Sequence, residues 1–256
     1  MILAVVLYAA LVVGSGLLVL VGIDTVRSGF DRYEERAAIV DRPVSALESV
    51  AFGTTALVGT ARPGSHAVRV PFGGQERAVC YHVTVEDTNK LETAHVDERV
   101  APPFVLEADI EGTRVRVDAT DLRLDLSANR QLETDVASHE PLDGDLASFV
   151  EEHDLPSQGL ERDRRFAYEY LAPGDEVFVY GRAVPDEARA SADGKAVLVT
   201  AHEDGSGLVS DKSPDTLLAE RRRVLAKNVS LGVLEGVIGL AAFLWLTGIA
   251  QFLLGA

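Results

Sequence analysis

Cys80 and His82 are the pair in this 256-residue chain whose types and spacing invite a chemical reading. They stand two apart in the run C-Y-H-V-T-V-E, residues 80–86, and positions i and i+2 of a strand share a face. A thiol beside an imidazole is the arrangement of a nucleophile and its base, and it wants a third group to orient the base. The plainer reading makes Cys80 a small hydrophobe buried in an alternating strand. Both readings are open on the sequence.

Other chemistry has less to stand on. Cys80 is the only cysteine, which excludes a disulfide within one chain and any zinc site built on several thiolates. His66, His82, His95, His139, His153 and His202 are scattered without a pair at metal-ligand spacing, so neither a metal nor a cofactor is expected. Glu151 with Glu152, Asp143 with Asp145, and Glu161 with Asp163 would suggest paired carboxylates in a neutral protein. Here 40 acidic residues stand against 24 basic ones, a net charge of −16, and such pairs are expected on a solvated face. Glu151, Glu152 and His153 are adjacent, which spreads them over different faces of a helix. No G-x-x-x-x-G-K-[ST] loop occurs, and Gly14, Ser15 and Gly16 fall in an apolar run, where small residues favour helix packing. No G-x-S-x-G elbow is present outside the apolar runs.

The elements that must position Cys80 and His82 read as strands. Residues 78–86 alternate, with Val79, Tyr81, Val83 and Val85 against Cys80, His82, Thr84 and Glu86. Further strands are expected at 56–61, 104–106, 113–118, 122–126, 166–171, 176–183 and 196–201, separated by turn residues such as Glu111 and Gly112. Ala172-Pro173-Gly174-Asp175 suits a tight reversal. Residues 143–153 read as a short helix through Leu146, Phe149 and Val150, and 129–158 as the most variable stretch. Ser213 is expected to cap a helix with Pro214 at its first position. The fold class is therefore a β-rich (α+β) body, barrel-like or sandwich-like, flanked by two transmembrane helices.

Those flanking helices are the strongest signal. Ile2–Ile23 and Gly236–Ala256 carry no charged side chain, and at 1.5 Å per residue each spans roughly 30 Å, a bilayer's hydrocarbon core. The expected division is a span at 2–23, a juxtamembrane helix or linker at 24–42, a β-rich body at 43–212, a juxtamembrane helix at 213–228 and a second span at 229–254. The first span has neither a basic n-region nor an A-x-A site, so it is expected as an uncleaved anchor. Arg27, Arg32 and Arg36 follow it, and Arg221, Arg222, Arg223 and Lys227 precede the second. Basic flanks stay cytoplasmic, which puts the body inside and both short termini outside. Glu235 is expected at the interface, paired with Lys227 or Arg223, because 21 uncharged residues follow it. Gln251 is expected either to bond the partner helix or to lie near the outer headgroups.

Lys90, Lys195, Lys212 and Lys227 are the only lysines. An acidic surplus with few lysines is the habit of proteins in concentrated salt, where self-repulsion is screened, so a halophilic source is expected. Nucleic acid is excluded as a partner, since this surface repels phosphate backbones.

Several segments in order resemble the GIDE domain of membrane-anchored ubiquitin ligases. They are V-G-T-A at 58–61, C-Y-H-V-T-V-E at 80–86, P-F-V-L-E-A-D-I-E-G-T-R-V-R-V at 103–117 and L-A-P-G-D-E-V-F-V-Y-G at 171–181. The spans sit where that family places its membrane helices. The ligases of the family carry a RING that holds two zinc ions through cysteines and histidines, and with one cysteine no RING residue can be carried over. The mitochondrial members are described with this domain facing away from the cytosol, opposite to the orientation expected here. Three functions follow as expectations: an adaptor in the lipid bilayer that binds protein partners through its β surface, a ligase component in a ubiquitin-like modification pathway, or a regulator of a membrane protease.

Overall fold

The computed structural model describes residues 2–40, 43–74, 77–88, 94–108, 113–142, 144–155, 163–186 and 196–248, with side chains in the first helix from residue 6 to residue 27. In chain order the first elements are α1 (Ile2–Val40), β1 (Gly53–Arg62), β2 (Val68–Arg69), β3 (Arg77–Ala78), β4 (Cys80–Asp87), β5 (Ala94–Val100), β6 (Phe104–Glu107), β7 (Arg114–Val117) and β8 (Arg123–Leu124). There follow β9 (Gln131–Val136), α2 (Gly144–Glu152), β10 (Arg164–Leu171), β11 (Glu176–Pro185), β12 (Val197–Thr200), β13 (Leu208–Ser210) and α3 (Pro214–Thr247). They form two compact units: the terminal helices, and the body Arg42–Pro214.

The body holds a closed five-stranded barrel. The strands run β1-β6-β7-β12-β11 and close through β1 on β11, in antiparallel register from Gly53↔Ala183 to Thr60↔Glu176. Numbered along the chain, that order is 1-2-3-5-4-1, and the third and fifth strands, β7 and β12, are parallel. This is the Greek-key arrangement of the OB-type barrel. Closure leaves few free edges, and the alternating apolar positions Leu57, Leu106, Val117, Val179 and Val199 fill the interior. Gly174, at φ +99°, makes the expected reversal: Pro173 and Gly174 occupy its centre and the Asp175 N–H donates to the Ala172 carbonyl at 3.2 Å.

Two insertions into the barrel's connections build a second, four-stranded antiparallel sheet, β5-β4-β10-β9. Its apolar face carries Tyr81, Val83, Val85, Phe166 and Tyr168, covered by Leu146 and Phe149 of α2. Phe72 is the hub, edge-on to Phe149 at 5.2 Å, Phe166 at 6.0 Å and Tyr168 at 5.2 Å. At the far end of β4 a fully buried Arg164 donates Nε to Asp87 at 3.4 Å, and His95 Nε2 lies 2.8 Å from the same carboxylate. Burial would raise the Asp87 pKa, but His95 and Arg164 together hold it below the ordinary value.

Strand bounds differ from the sequence reading in places. Residues 78–86 split at Val79 into β3 and β4, and 122–126 shrinks to β8. The stretch 129–158, read as variable, contains edge strand β9 and helix α2. The turn expected at Glu111 and Gly112, together with Lys90, Lys195 and Gln251, lies outside the described residues.

Both terminal helices are long and apolar enough to cross a membrane. α1 runs 39 residues, about 58 Å, and α3 34 residues, about 51 Å, so the expected juxtamembrane extensions are continuous helix. Glycines bring them together. A Cβ on Gly22 would come within 2.5 Å of the Gly232 carbonyl oxygen, one on Gly232 within 2.6 Å of the Gly22 oxygen, and one on Gly239 within 2.9 Å of the Ser15 oxygen. Gly232 and Gly236 form the G-x-x-x-G spacing that lets backbones approach in lipid. Of the glycine-serine cluster singled out in α1, Ser15 faces α3, whereas Gly14 and Gly16 have nothing within reach.

α3 is described as far as Thr247, followed by Gly248 at φ +73°. The Glu235 carboxylate accepts a hydrogen bond from the Thr25 hydroxyl of α1 at 3.4 Å.

Candidate functional site

The alternation that placed Cys80 and His82 on one face of β4 leads them to different surroundings. Cys80 is fully buried in the barrel cluster with Leu57, Leu106 and Leu171. Burial pushes its thiol up to about 12, against a lowering pull from Arg99. A thiolate is the reactive form, so this cysteine is inert at neutral pH.

His82, two residues on, lies where the same face leaves the barrel and meets solvent. Register sets Glu169 of β10 on one side of it and Arg99 of β5 on the other. Both ring nitrogens engage carboxylates: Nε2 lies 2.6 Å from Asp97 and Nδ1 3.4 Å from Glu169. The hydrogen bond with Glu169, then that with Asp97, raises the His82 pKa above its ordinary value, outweighing burial. His82 is thus biased toward its protonated form by two carboxylates, and it is not set against a reactive thiol at Cys80.

Around it the sheet's polar face is laced with charge. Arg165 Nε lies 2.9 Å from both Glu133 and Asp135 of β9. Arg99 donates Nη2 to the Ala119 carbonyl at 2.7 Å and to that of Leu122, tying β5 to the loop after β7. Asp97, Glu169, Arg99 and Arg165 carry no spacing signature, because cross-strand pairing brings them together; the alternating polar residues of 131–135 and 164–169 were the available signal.

The other sequence candidates are dispersed. His153 meets Glu98 at 2.9 Å, His66 meets Ser65 at 2.9 Å, and the His202 ring lies tilted against Tyr180 at 5.3 Å. Glu151, Glu152 and Asp145 are exposed on α2, and Asp163 accepts from the Ser138 N–H at 2.9 Å, whereas Asp143 and Glu161 lie outside the described residues. Among the described residues no three His, Cys, Asp or Glu side chains are arranged to hold a metal ion.

No family model, curated protein or solved structure matches this chain. The reading of the site therefore rests on its own geometry: a charge-compensated, solvent-facing sheet surface bordered by an exposed edge strand, with its one thiol sequestered.

His82 provides a direct check. A raised folded-state pKa means that its partners stabilise the fold fully below the ordinary value of 6.5, and that this contribution is lost as pH rises through the folded pKa. The stability difference between wild type and His82→Gln is expected to be larger at about pH 5.5 than at about pH 8.5, and Glu169→Gln should bring the His82 NMR titration back toward the ordinary value. A difference independent of pH contradicts the assignment.

Proposed function

We propose that the protein is a membrane-anchored interaction protein, an adaptor without a catalytic centre of its own, whose β body binds a protein partner through the edge of the four-stranded sheet. The observation that carries this reading is β9. Among the described residues it pairs with β10 on one side and with no strand on the other, with Gln131, Leu132, Glu133 and Asp135 exposed. An open edge offers unpaired backbone groups to an extended segment, and alternate side chains supply selectivity. Glu133 and Asp135 suit a segment carrying basic residues, and the net charge of −16 disfavours a nucleic acid there.

The resemblance to the GIDE domain supports protein binding at a membrane, and the arginine-rich flanks support a cytoplasmic body at the cell membrane. The acidic, lysine-poor composition supports a salt-rich setting. The ligase-component reading draws on the resemblance alone, and the buried, protonated Cys80 gives it no thioester site.

Crosslinking in native membranes at high salt, followed by mass spectrometry, tests the proposal. A protein partner crosslinked to residues 131–136 is expected, lost in the Glu133→Lys, Asp135→Lys double variant while the circular dichroism spectrum is retained. An unchanged crosslink in that variant removes β9 as the surface. Chain-dependent transfer in a conjugation assay overturns the adaptor reading.

A further inference from the structure

Every charged side chain of β5 is engaged, and the ties come from both of its faces. The strand borders the four-stranded sheet opposite β9: among the described residues it pairs with β4 on one side and with no strand on the other. Apolar contact holds it only lightly, since Val96 is buried and Val100 partly buried in the sheet's cluster, and its other described side chains are polar. Consecutive residues of a strand point to opposite faces, so the neighbours Asp97 and Glu98 reach to opposite sides. Each meets a histidine. Asp97 lies 2.6 Å from Nε2 of His82, whose Nδ1 reaches Glu169 of β10, and on the other face Glu98 lies 2.9 Å from Nε2 of His153, just past α2. His95 is the extra residue of a bulge opposite Val85 and Glu86, and its Nε2 lies 2.8 Å from Asp87, which fixes the start of the strand.

We propose that β5 is a proton-held clasp: with His82 and His153 protonated the strand is locked to the sheet from both faces, and as they lose their protons it opens while β4, β10 and β9 stay paired. A hydrogen bond between charged partners is roughly twice as strong as a neutral one, so each lost proton weakens a tie without removing it. The groups facing His82 are Asp97 and Arg99 from β5 and Glu169 from β10. Arg99 is drawn off to the Ala119 and Leu122 carbonyls, which leaves two carboxylates against the ring. Those around His153 are Glu98 from β5 and Glu152 from α2, whose charges reach Tyr81 of β4 as well, and its Nδ1 lies 3.0 Å from the Phe149 carbonyl. Burial lowers the His153 pKa, but the bonds to Glu98 and Phe149 raise it above the ordinary value, as Glu169 and Asp97 do for His82. Both ties are therefore complete below the ordinary value of 6.5 and weaken as pH rises through the folded-state values. A lightly packed edge strand opens locally before the sheet does, and its opening leaves β4 as the border of the sheet.

Hydrogen–deuterium exchange of the full-length protein in micelles, read by mass spectrometry at about pH 5.5 and about pH 8.5 with the intrinsic exchange rates divided out, tests this. The protection of residues 94–100 relative to that of β10 is expected to fall about fivefold from the lower pH to the higher. The Asp97→Asn, Glu98→Gln double variant keeps the side-chain shapes and loses the charges, so its β5 should be as weakly protected at the lower pH as that of wild type is at the higher. Should the double variant fail to fold, the two wild-type measurements decide alone. Wild-type protection of β5 equal at both pH values, or a fall shared equally by β10, overturns the proposal, and so does the full fall retained in the double variant.

Discussion

Gly232→Leu is expected to separate the two terminal helices. Even a methyl group at 232 would lie 2.6 Å from the Gly22 carbonyl oxygen and 2.8 Å from Val26 Cγ2, and the first of these is backbone that no rotamer change relieves. In lipid no hydrophobic effect drives helices together, so their pairing depends on close packing and on bonds such as the one from the Thr25 hydroxyl to Glu235. Losing the packing also removes that donor from Glu235. The Tyr8 hydroxyl donates to the Leu246 carbonyl, so cysteines introduced at 8 and 246 should be joined in the native pair by a bifunctional thiol reagent whose spacer covers the reach of the lost tyrosine ring. Crosslinking should fall to background in Gly232→Leu and persist in Gly14→Leu, whose Cβ meets nothing. Equal crosslinking in both variants contradicts the arrangement.

Phe72→Ala should be the most damaging single change in the body. Phe72 is 1% exposed and is the shared neighbour of Phe149, Phe166 and Tyr168, so its removal leaves a cavity where helix α2 and the four-stranded sheet meet. Truncating a buried phenylalanine costs about 3–5 kcal/mol, a large part of the ~5–15 kcal/mol by which a domain is stable. Urea unfolding of the full-length protein in micelles measures it, with labelling of Cys80 as the reporter. That thiol lies in the barrel cluster, so its exposure in step with loss of the sheet would show the two cores unfolding together. A cost under about 1 kcal/mol would mean that α2 and the sheet are not locked by this ring.

What the sequence made legible follows from how strongly each element is patterned. The two apolar helices and the Pro173-Gly174 turn are written in composition and in local backbone preference. Strands β1, β4, β10 and β11 have long runs of β-branched and aromatic residues, and their interiors are buried as alternation requires. β5 and β9 were not anticipated, because an edge strand carries charge on its solvent side and presents few apolar positions, as A-H-V-D-E-R-V and Q-L-E-T-D-V show. Closure of the barrel depends on β1 meeting β11 across more than a hundred residues, which periodicity does not encode. At the site, the shared face of Cys80 and His82 was legible and its outcome was not, since one face of β4 passes from barrel core to open surface within two residues.

Both apolar helices are long enough to cross a membrane, and as a lipid-embedded pair they would carry the β body. Single spin labels at positions 13 and 238, where Val13 is 62% and Ile238 52% exposed, test this in reconstituted bilayers by comparing collision with oxygen and with a water-soluble nickel complex. Oxygen access high and nickel access low at both positions is the result predicted. Nickel access at either position equal to that at Asp204, an exposed turn residue of the body, would contradict it.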